Sequence, residues 1–459
     1  MQSPTSPSIP TYSPSTSLPS FAALRPAYLA GTRTPREDME ATIARVLERE
    51  PSLSAFAHLD VEACRRAADA STARYREGRP LGSLDGCPVG IKDIIETFDM
   101  PTGYGNAAFA GRRGERDAAC VTALREAGAI PFGKTVTTEF AIGGPGPTVN
   151  AHDPARTPGG SSSGSGAAVG AGLLPLALGT QTQGSVLRPA SYNGCFGYKG
   201  TLGLLPTGGV HPLSASHDHL GLLGGGLDDI WAAASAIAAI GSPGHAGLPG
   251  AGGLPPVRRS RRLVRLYLQG WEEVEAAHRG IVDAQFRALE ERGVEIVSRE
   301  TSDAVHRLER HLDDGIAGSL AIVAYEMRFP YRDYVARHGT AIGPRIHELL
   351  ERSRDIDAGR YAQLLAEQAA ARDLVARTLV HLDADAYAMP AASGPAQKGH
   401  AFTGSRTYLA YWSWLGFPAF SLPLMVADGM PWGLQLAGTA HGDARLCSLA
   451  RWVCGEDEA

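Results

Sequence analysis

The stretch from residue 158 to 201 constrains the fold of this chain more than any other part of the sequence. It reads PGGSSSGSGAAVGAGLLPLALGTQTQGSVLRPASYNGCFGYKGT, so small residues dominate while an apolar block at 173–178 interrupts the glycine and serine runs. A flexible glycine-serine linker does not carry that apolar content. Because glycine lets two backbone segments come close together, the stretch predicts tightly packed backbone and not a spacer.

Short strands and helices alternate on both sides of this stretch. Upstream, residues 88–92 and 130–134 have the apolar content of short strands, and residues 118–127 between them fit a helix. Downstream, apolar side chains recur at steps of three and four through 274–288, before a further strand at 294–297. This alternation predicts an α/β fold with a mixed central β-sheet sandwiched between helical layers.

Composition divides the chain into a short tail and one large domain. Residues 1–25 begin with an almost unbroken run of Ser, Pro and Thr. Such a segment buries too little apolar surface to offset the entropy of ordering, so we expect a disordered tail there. Residues 26–459 are assigned to a single domain, because large α/β enzymes often run well past ~150 residues around one sheet.

The charge and the cysteines exclude several classes of partner. A formal net charge of -5 gives no long-range attraction to nucleic acid or to an anionic membrane, and no apolar run approaches ~18 residues. The six cysteines form no CxxC pair and have no Cys/His spacing suited to zinc; they stand at positions 64, 87, 120, 195, 447 and 454. We therefore expect free thiols, no bound metal and a cytoplasmic location without an export signal.

Two serines and one lysine are the candidates for chemistry. Ser161 and Ser185 lie inside the small-residue stretch, and each directly follows a glycine. A nucleophilic serine needs a base within reach and donors for the oxyanion, which the backbone N–H groups of residues 182–185 can supply. The base is either a histidine or a lysine, and a lysine serves only where burial lowers its pKa. Lys92 ends an apolar strand and is well placed for burial.

At these residues the sequence resembles the amidase signature family over about residues 36–455. The segment GGSSSGSGAAVGAGLLPLALGTQTQGS followed by VLRPASYNGCFGYKGT resembles the family's defining region. PVGIKDIIET, the GKT at 133–135, GFPAFSLPL and GMPWGLQLAG also fit. The chain is similar to small-substrate bacterial amidases of the malonamidase type, which share GIKDII, PGGSSSGS and LGTQT.

The resemblance implies a role for each candidate. Ser185 is then the nucleophile, Ser161 a bridging serine at a cis peptide bond, and Lys92 the base. The implied oxyanion donors are four backbone N–H groups, those of Thr182, Gln183, Gly184 and Ser185. The implied activity is hydrolysis of a small-molecule amide through an acyl-enzyme, without a cofactor, in a protein that resembles homodimeric members of the family.

Two neighbours of the nucleophile depart from the family pattern. Gln183 stands where small residues are usual, and Arg188 stands three residues after Ser185 where many members carry an arginine two after it. An arginine holds a carboxylate in a bidentate fork. We therefore expect Arg188 to bind substrate, and the substrate to be a small carboxylate-bearing amide.

Other interpretations of the same residues stay open. The chain also resembles the glutaminase subunit of a tRNA-dependent amidotransferase, which needs partner chains, and a non-catalytic scaffold with this fold is a third hypothesis. Ser162 formally sits in a GxSxG motif, but no strand precedes it, so we expect Ser162 and Ser163 to form structural hydrogen bonds. His217 and His219 have no third ligand nearby and are interpreted as part of a turn.

Overall fold

The computed structural model describes residues 12–13, 18–241, 248 and 253–457. Its strands form one mixed sheet in the order β1-β3-β2-β4-β6-β5-β10-β11-β9-β7-β8. The strands are β1 Phe56–Leu59, β2 Pro88–Lys92, β3 Ile130–Thr135, β4 Leu176–Gln181, β5 Phe196–Lys199, β6 His219–Gly224, β7 Arg262–Arg265, β8 Glu295–Val297, β9 Ala386–Pro390, β10 Ala419–Ala427 and β11 Met430–Ala437. Strand β2 runs parallel to β3 and β4, whereas β4 pairs antiparallel with β6. The predicted mixed sheet is confirmed.

Helices pack against this sheet in two groups near its middle. Helices α4 and α7 contact each other, and they contact β3 and β6 respectively. Helices α5 and α6 also contact each other; α5 contacts β2, β3, β4 and β6, and α6 contacts β5, β10 and β11. The helices are α1 Phe21–Leu29, α2 Pro35–Leu53, α3 Val61–Arg76, α4 Ala119–Glu126, α5 Ser163–Gly170, α6 Leu187–Asn193, α7 Leu227–Ala239, α8 Gly270–Glu273, α9 Ala276–Glu291, α10 Asp303–Leu312, α11 Gly315–Glu326, α12 Arg328–His338, α13 Pro344–Ser353, α14 Ala358–His381, α15 Ala410–Trp414 and α16 Asp443–Val453. None of the described helices is long and apolar enough to span a bilayer.

The N-terminal segment is ordered earlier than we predicted. Residues 21–25, expected in the tail, form the first turns of α1, and Phe21 is buried. The carboxylate of Asp229 on α7 accepts hydrogen bonds from the N–H of Phe21 and of the next residue, at 2.8 and 2.7 Å. The prediction was wrong there because this anchor is distant in sequence. Residues 1–11 and 14–17 of the predicted tail lie outside the described residues.

The small-residue stretch is packed backbone, as predicted. It forms α5, β4, α6 and β5 in succession, and nearly all of its residues are buried. Gly164 shows why a side chain is excluded, since an added Cβ would overlap the Ala55 carbonyl oxygen and the Val136 amide nitrogen. The Gly164 N–H donates to the Val136 carbonyl at 2.9 Å, so the start of α5 is tied to the end of β3.

The parallel pairing of β2 with β4 brings their carboxyl ends to one edge of the sheet. Ile91 lies opposite Leu178 in this register, so Lys92 ends β2 close to where Gln181 ends β4. In open α/β sheets, ligands bind outside the carboxyl ends of parallel strands. The candidate site lies at this edge, between the end of β2 and the starts of α5 and α6.

Candidate active site

Lys92 is fully buried at the end of β2. Its Nζ lies 2.7 Å from Ser161 Oγ, 2.7 Å from Thr180 Oγ1 and 3.4 Å from the Thr180 carbonyl oxygen. Among the described residues no carboxylate forms an ion pair with it. Burial lowers the pKa of Lys92 well below its ordinary value, and the charge of Asp218 opposes this shift only in part. The site therefore favours a neutral amine, which can accept a proton.

Ser161 follows Gly160 through a cis peptide bond, two residues before α5 begins. Its side chain is buried, and its carbonyl accepts a hydrogen bond from the Thr138 N–H at 3.1 Å. The next residue joins the two ends of the site, because the Ser162 N–H donates to the Ser185 carbonyl at 3.2 Å. Ser162 Oγ also donates to the Thr180 carbonyl at 3.4 Å, so this serine has the structural role we predicted.

Ser185 ends a loop that the side chain of Gln181 holds in place. Gln181 Oε1 accepts hydrogen bonds from the N–H groups of Val186 and Leu187, at 3.0 and 3.1 Å. These two N–H groups lie at the start of α6, where a helix leaves its first donors without partners. The amide of Gln181 therefore fixes the turn that carries Ser185, a role that we did not predict.

The loop that carries Ser185 contains backbone N–H groups that have no hydrogen-bond acceptor within the described chain. Those of Gln183, Gly184 and Ser185 donate to no acceptor in the part of the chain that the structure describes. Gly184 packs closely on Leu409, since an added Cβ would lie 2.9 Å from its side chain. Buried N–H groups are normally paired, and Gln183 and Ser185 line a cavity, so unpaired N–H groups beside it can receive a negatively charged oxygen.

Ser161 and Ser185 line the same cavity, which has a volume of about 680 Å³. Three more residues predicted for the site also line it, namely Thr182, Gln183 and Arg188. Lys92 is not part of the lining, because it lies behind Ser161. The structure therefore brings all the predicted site residues to one place, with the amine out of direct reach of a bound molecule.

Arg188 is buried and largely occupied by protein groups. Its Nη2 donates to the Gly160 carbonyl at 2.5 Å and to Thr403 Oγ1 at 3.3 Å, while Nη1 donates to the Ser405 carbonyl at 3.1 Å. Of its nitrogen atoms, only Nε is buried without a partner among the described residues. Burial lowers the pKa of Arg188 to about 10. No carboxylate of the described chain pairs with this guanidinium, so its charge is uncompensated.

Gln183 connects the loop to α11. Its Nε2 donates to Ser319 Oγ at 2.6 Å, and His217 Nε2 lies 3.0 Å from the same hydroxyl. The chain of contacts continues through Ser214 Oγ, which is 3.3 Å from His217 Nδ1, to the carboxylate of Glu326 at 2.5 Å. The unusual glutamine therefore tethers the loop to a helix that forms another wall of the site.

Asp218 anchors the opposite side of the loop. Its carboxylate accepts hydrogen bonds from Thr182 Oγ1 at 2.6 Å and from the N–H groups of Leu213 and Ser214 at 2.7 and 2.8 Å. Burial raises the pKa of Asp218 to about 6. The segment around His217 is a turn in which backbone donors meet this carboxylate. Across the described ranges, no three His, Cys, Asp or Glu side chains are grouped to hold a metal.

Comparisons with known proteins find relatives that match this chain over nearly its whole length. The Amidase family profile matches residues 37–447. The chain is 31% identical to a glutamyl-tRNA(Gln) amidotransferase subunit of Chloroflexus aggregans, over 93% of both chains. It is 30% identical to the mandelamide hydrolase of Pseudomonas putida, over 92% of this chain and 88% of the relative. A crystal structure of an amidase superposes with a TM-score of 0.83 at 28% identity, over 95% of this chain and 99% of the other.

The chain belongs to the amidase family. Within that family it is a hydrolase that acts on C–N amide bonds.

Proposed function

We propose that this amidohydrolase cleaves a carboxylic amide with Ser185 as nucleophile, Ser161 as bridging serine and Lys92 as base. One observation carries the proposal: the buried Lys92 Nζ lies 2.7 Å from Ser161 Oγ. Ser161 and Ser185 line one cavity, so a bound amide can meet both hydroxyls. The proposed steps use only groups of this chain.

The proton moves in two steps as the bond forms. Neutral Lys92 takes the proton of the Ser161 hydroxyl, and Ser161 takes the proton of Ser185 while Ser185 Oγ attacks the amide carbonyl carbon. When the tetrahedral intermediate collapses, the C–N bond breaks and the same path returns a proton to the departing nitrogen. Water then attacks the acyl-enzyme by the reverse sequence, which releases the acid and restores Ser185.

The charge that develops on the carbonyl oxygen needs donors at the cavity wall. The N–H groups of Gln183, Gly184 and Ser185 are unpaired within the described chain and are held by a loop anchored at both ends. Removal of one such donor from an amide-cleaving site costs about 2.7–4 kcal/mol of transition-state stabilisation. Preorganisation by Gln181 and Asp218 supports the assignment of this loop as the oxyanion hole.

The charge of the cavity supports a small carboxylate-bearing amide as substrate. Arg188 lines the cavity as a buried cation without a carboxylate partner among the described residues. A buried unpaired charge is costly, and a bound carboxylate compensates it. The Nε of Arg188 is also buried without a hydrogen-bond partner in the described chain, so this cation is not fully satisfied by protein groups.

The test follows ammonia released from a panel of small aliphatic, aromatic and carboxylate-bearing amides. We expect Ser185→Ala, Ser161→Ala and Lys92→Met to reduce turnover of the best substrate by more than about 1,000-fold, since removal of a catalytic residue has that scale of effect. Ser163→Ala is the matched control, because Ser163 Oγ only donates to the Val136 carbonyl at 3.2 Å. A fluorophosphonate should label wild type at Ser185. Wild-type turnover by Ser185→Ala would sink the proposal.

A second candidate is the glutaminase component of a multi-chain amidotransferase. The likeness to the Chloroflexus aggregans amidotransferase subunit favours it. Affinity purification from the source cells distinguishes the two functions. Stable partner chains that raise glutamine hydrolysis would support the multi-chain enzyme, whereas full turnover by the purified chain, alone or as a homodimer, would support the stand-alone amidase.

A further inference from the structure

One wall of the cavity carries an excess of positive charge. Three arginines line the cavity, namely Arg188, Arg345 and Arg406. Arg345 pairs with Glu348 at 2.7 Å. Glu273 also lines the cavity, but its carboxylate accepts from the Thr407 hydroxyl at 2.9 Å and pairs with no arginine of the described chain. Two guanidinium groups, those of Arg188 and Arg406, thus remain without a compensating carboxylate.

The two unpaired arginines differ in how many donors they have left. Arg188 binds the Gly160 carbonyl, the Thr403 hydroxyl and the Ser405 carbonyl, so it ties the loop 403–405 to the peptide that precedes Ser161. Arg406 is the next residue of the same loop. Its side chain forms no hydrogen bond with any residue that the structure describes, although a guanidinium offers five N–H donors.

The surroundings of Arg406 favour an anion beside it. Its side chain is half-buried, and burial lowers the pKa of Arg406, with the charges of Arg345 and Arg352 acting in the same direction. The charge of Arg406 in turn contributes to the lowered pKa of Arg188. Cations that repel one another in a partly desolvated cavity are stabilised by a ligand with negative charge. A carboxylate matches the planar fork of a guanidinium with two parallel hydrogen bonds.

We propose that Arg406 determines substrate specificity by binding the carboxylate of the amide substrate, and that Arg188 positions Arg406 by holding the loop 403–405. The inference rests on the proposed function and refines it. The carboxylate contact that we predicted for Arg188 belongs mainly to Arg406, because most donors of Arg188 already bind the protein. Arg188 then acts on the substrate through the loop.

The kinetic test compares succinamate with butyramide, which is similar in size and lacks the carboxylate. Charge-assisted hydrogen bonds are worth about 1.5–3 kcal/mol, so Arg406→Leu should lower the ratio of kcat/KM for succinamate over butyramide by about 10- to 150-fold. The loss should appear mainly in KM. Arg406→Lys keeps the charge without the fork and should lower the ratio less. Arg377→Leu is the matched control and should leave the ratio unchanged, because Arg377 does not line the cavity and already pairs with Asp373.

A binding measurement separates this inference from the catalytic assignment. Calorimetry with succinate on Ser185→Ala protein should show binding that weakens by a similar factor when Arg406→Leu is added. Equal succinate affinity with and without Arg406, or an unchanged substrate ratio, overturns the inference. If succinate binding depends on Arg406 while Ser185→Ala keeps wild-type turnover, the proposed nucleophile fails and the carboxylate site stands. Arg188→Leu should lower kcat/KM for both amides, because Arg188 also holds the Gly160 carbonyl.

Discussion

Replacing Thr180 by valine tests how Lys92, the proposed base, is oriented. A neutral amine has two N–H groups and one lone pair, and Lys92 Nζ has three oxygen neighbours. Two of these belong to Thr180, the hydroxyl at 2.7 Å and the carbonyl at 3.4 Å, and the third is Ser161 Oγ at 2.7 Å. If both N–H groups point to Thr180, the lone pair faces Ser161. Valine keeps the shape of threonine but removes the better acceptor.

The expected loss follows from these contacts. A hydrogen bond is worth about 0.5–1.5 kcal/mol net, and a buried N–H left unpaired costs about 1–3 kcal/mol. The substitution should therefore destabilise the orientation in which the lone pair of Lys92 faces Ser161 by about 1–3 kcal/mol. This corresponds to a fall in kcat/KM of about 5- to 150-fold. An acceptor stabilises an ammonium group more than a neutral amine, so its loss should lower the pKa of Lys92 further. The acid limb of the pH profile should then move to lower pH.

Ammonia release measured as kcat/KM across a range of pH checks both effects. Thr180→Ser is the control, because serine keeps the hydroxyl and should stay close to wild type. Wild-type kcat/KM in Thr180→Val with an unshifted acid limb would refute the orientation argument. Equal damage in the serine and valine variants would also refute it, since serine keeps the hydroxyl and the loss of that hydroxyl could then not explain the damage.

Three further changes test the loop, the core and a buried lysine. Gly184→Ala places a methyl group 2.9 Å from the side chain of Leu409, so the oxyanion donors must shift and kcat should fall about 100-fold with little change in KM; steady-state kinetics with unchanged kcat would contradict this. Arg74→Met leaves the fully buried carboxylate of Asp85 without the cation that now lies 2.5 Å away, and denaturant titration should show a loss of about 3 kcal/mol in unfolding free energy. Burial lowers the pKa of Lys199 to about 7 in the folded protein. The unfolded chain, with a lysine pKa of about 10.4, then binds more protons between these values, so unfolding free energy should rise with pH by up to about 1.4 kcal/mol per pH unit. Lys199→Met should remove that slope, and an equal slope in both proteins would rule out the buried lysine as its source.

Local patterns in the sequence predicted much of the fold. The strand at Pro88–Lys92 was predicted with its observed bounds, because its apolar run stops at a charged pair. The alternation of strands and helices predicted the mixed sheet, and helix α4 differs from its prediction by one residue at each end. These features depend on side chains within a few positions of one another, so a single sequence is sufficient to find them.

Contacts between distant segments were not predictable in this way. Thr180 contacts Lys92 only because β2 and β4 are neighbours in the sheet, and no local pattern specifies that pairing. Arg406 lies more than 200 residues from Arg188 in the sequence. Arg188 holds the loop 403–405, which precedes Arg406, partly through a hydrogen bond to the Ser405 carbonyl, and a backbone carbonyl carries no sequence signal. The anchoring of helix α1 by Asp229 could not be predicted either, because the two residues that bond, Phe21 and Asp229, are far apart in the sequence. The family resemblance suggested roles for the two serines and the lysine, but not the groups that hold them.

The position of Lys92 behind Ser161 has a consequence for the fate of the acyl group. A neutral amine is a stronger nucleophile than water and would form a stable amide with an activated ester beside it. Lys92 is fully buried and does not line the cavity, so Ser161 separates it from any acyl group on Ser185. The interposed residue keeps the amine of Lys92 away from the acyl carbon of the proposed intermediate, which prevents acylation of the proposed base. In the proposed mechanism Ser161 therefore separates the amine from the acyl group in addition to relaying a proton, and water is left as the acceptor of the acyl group.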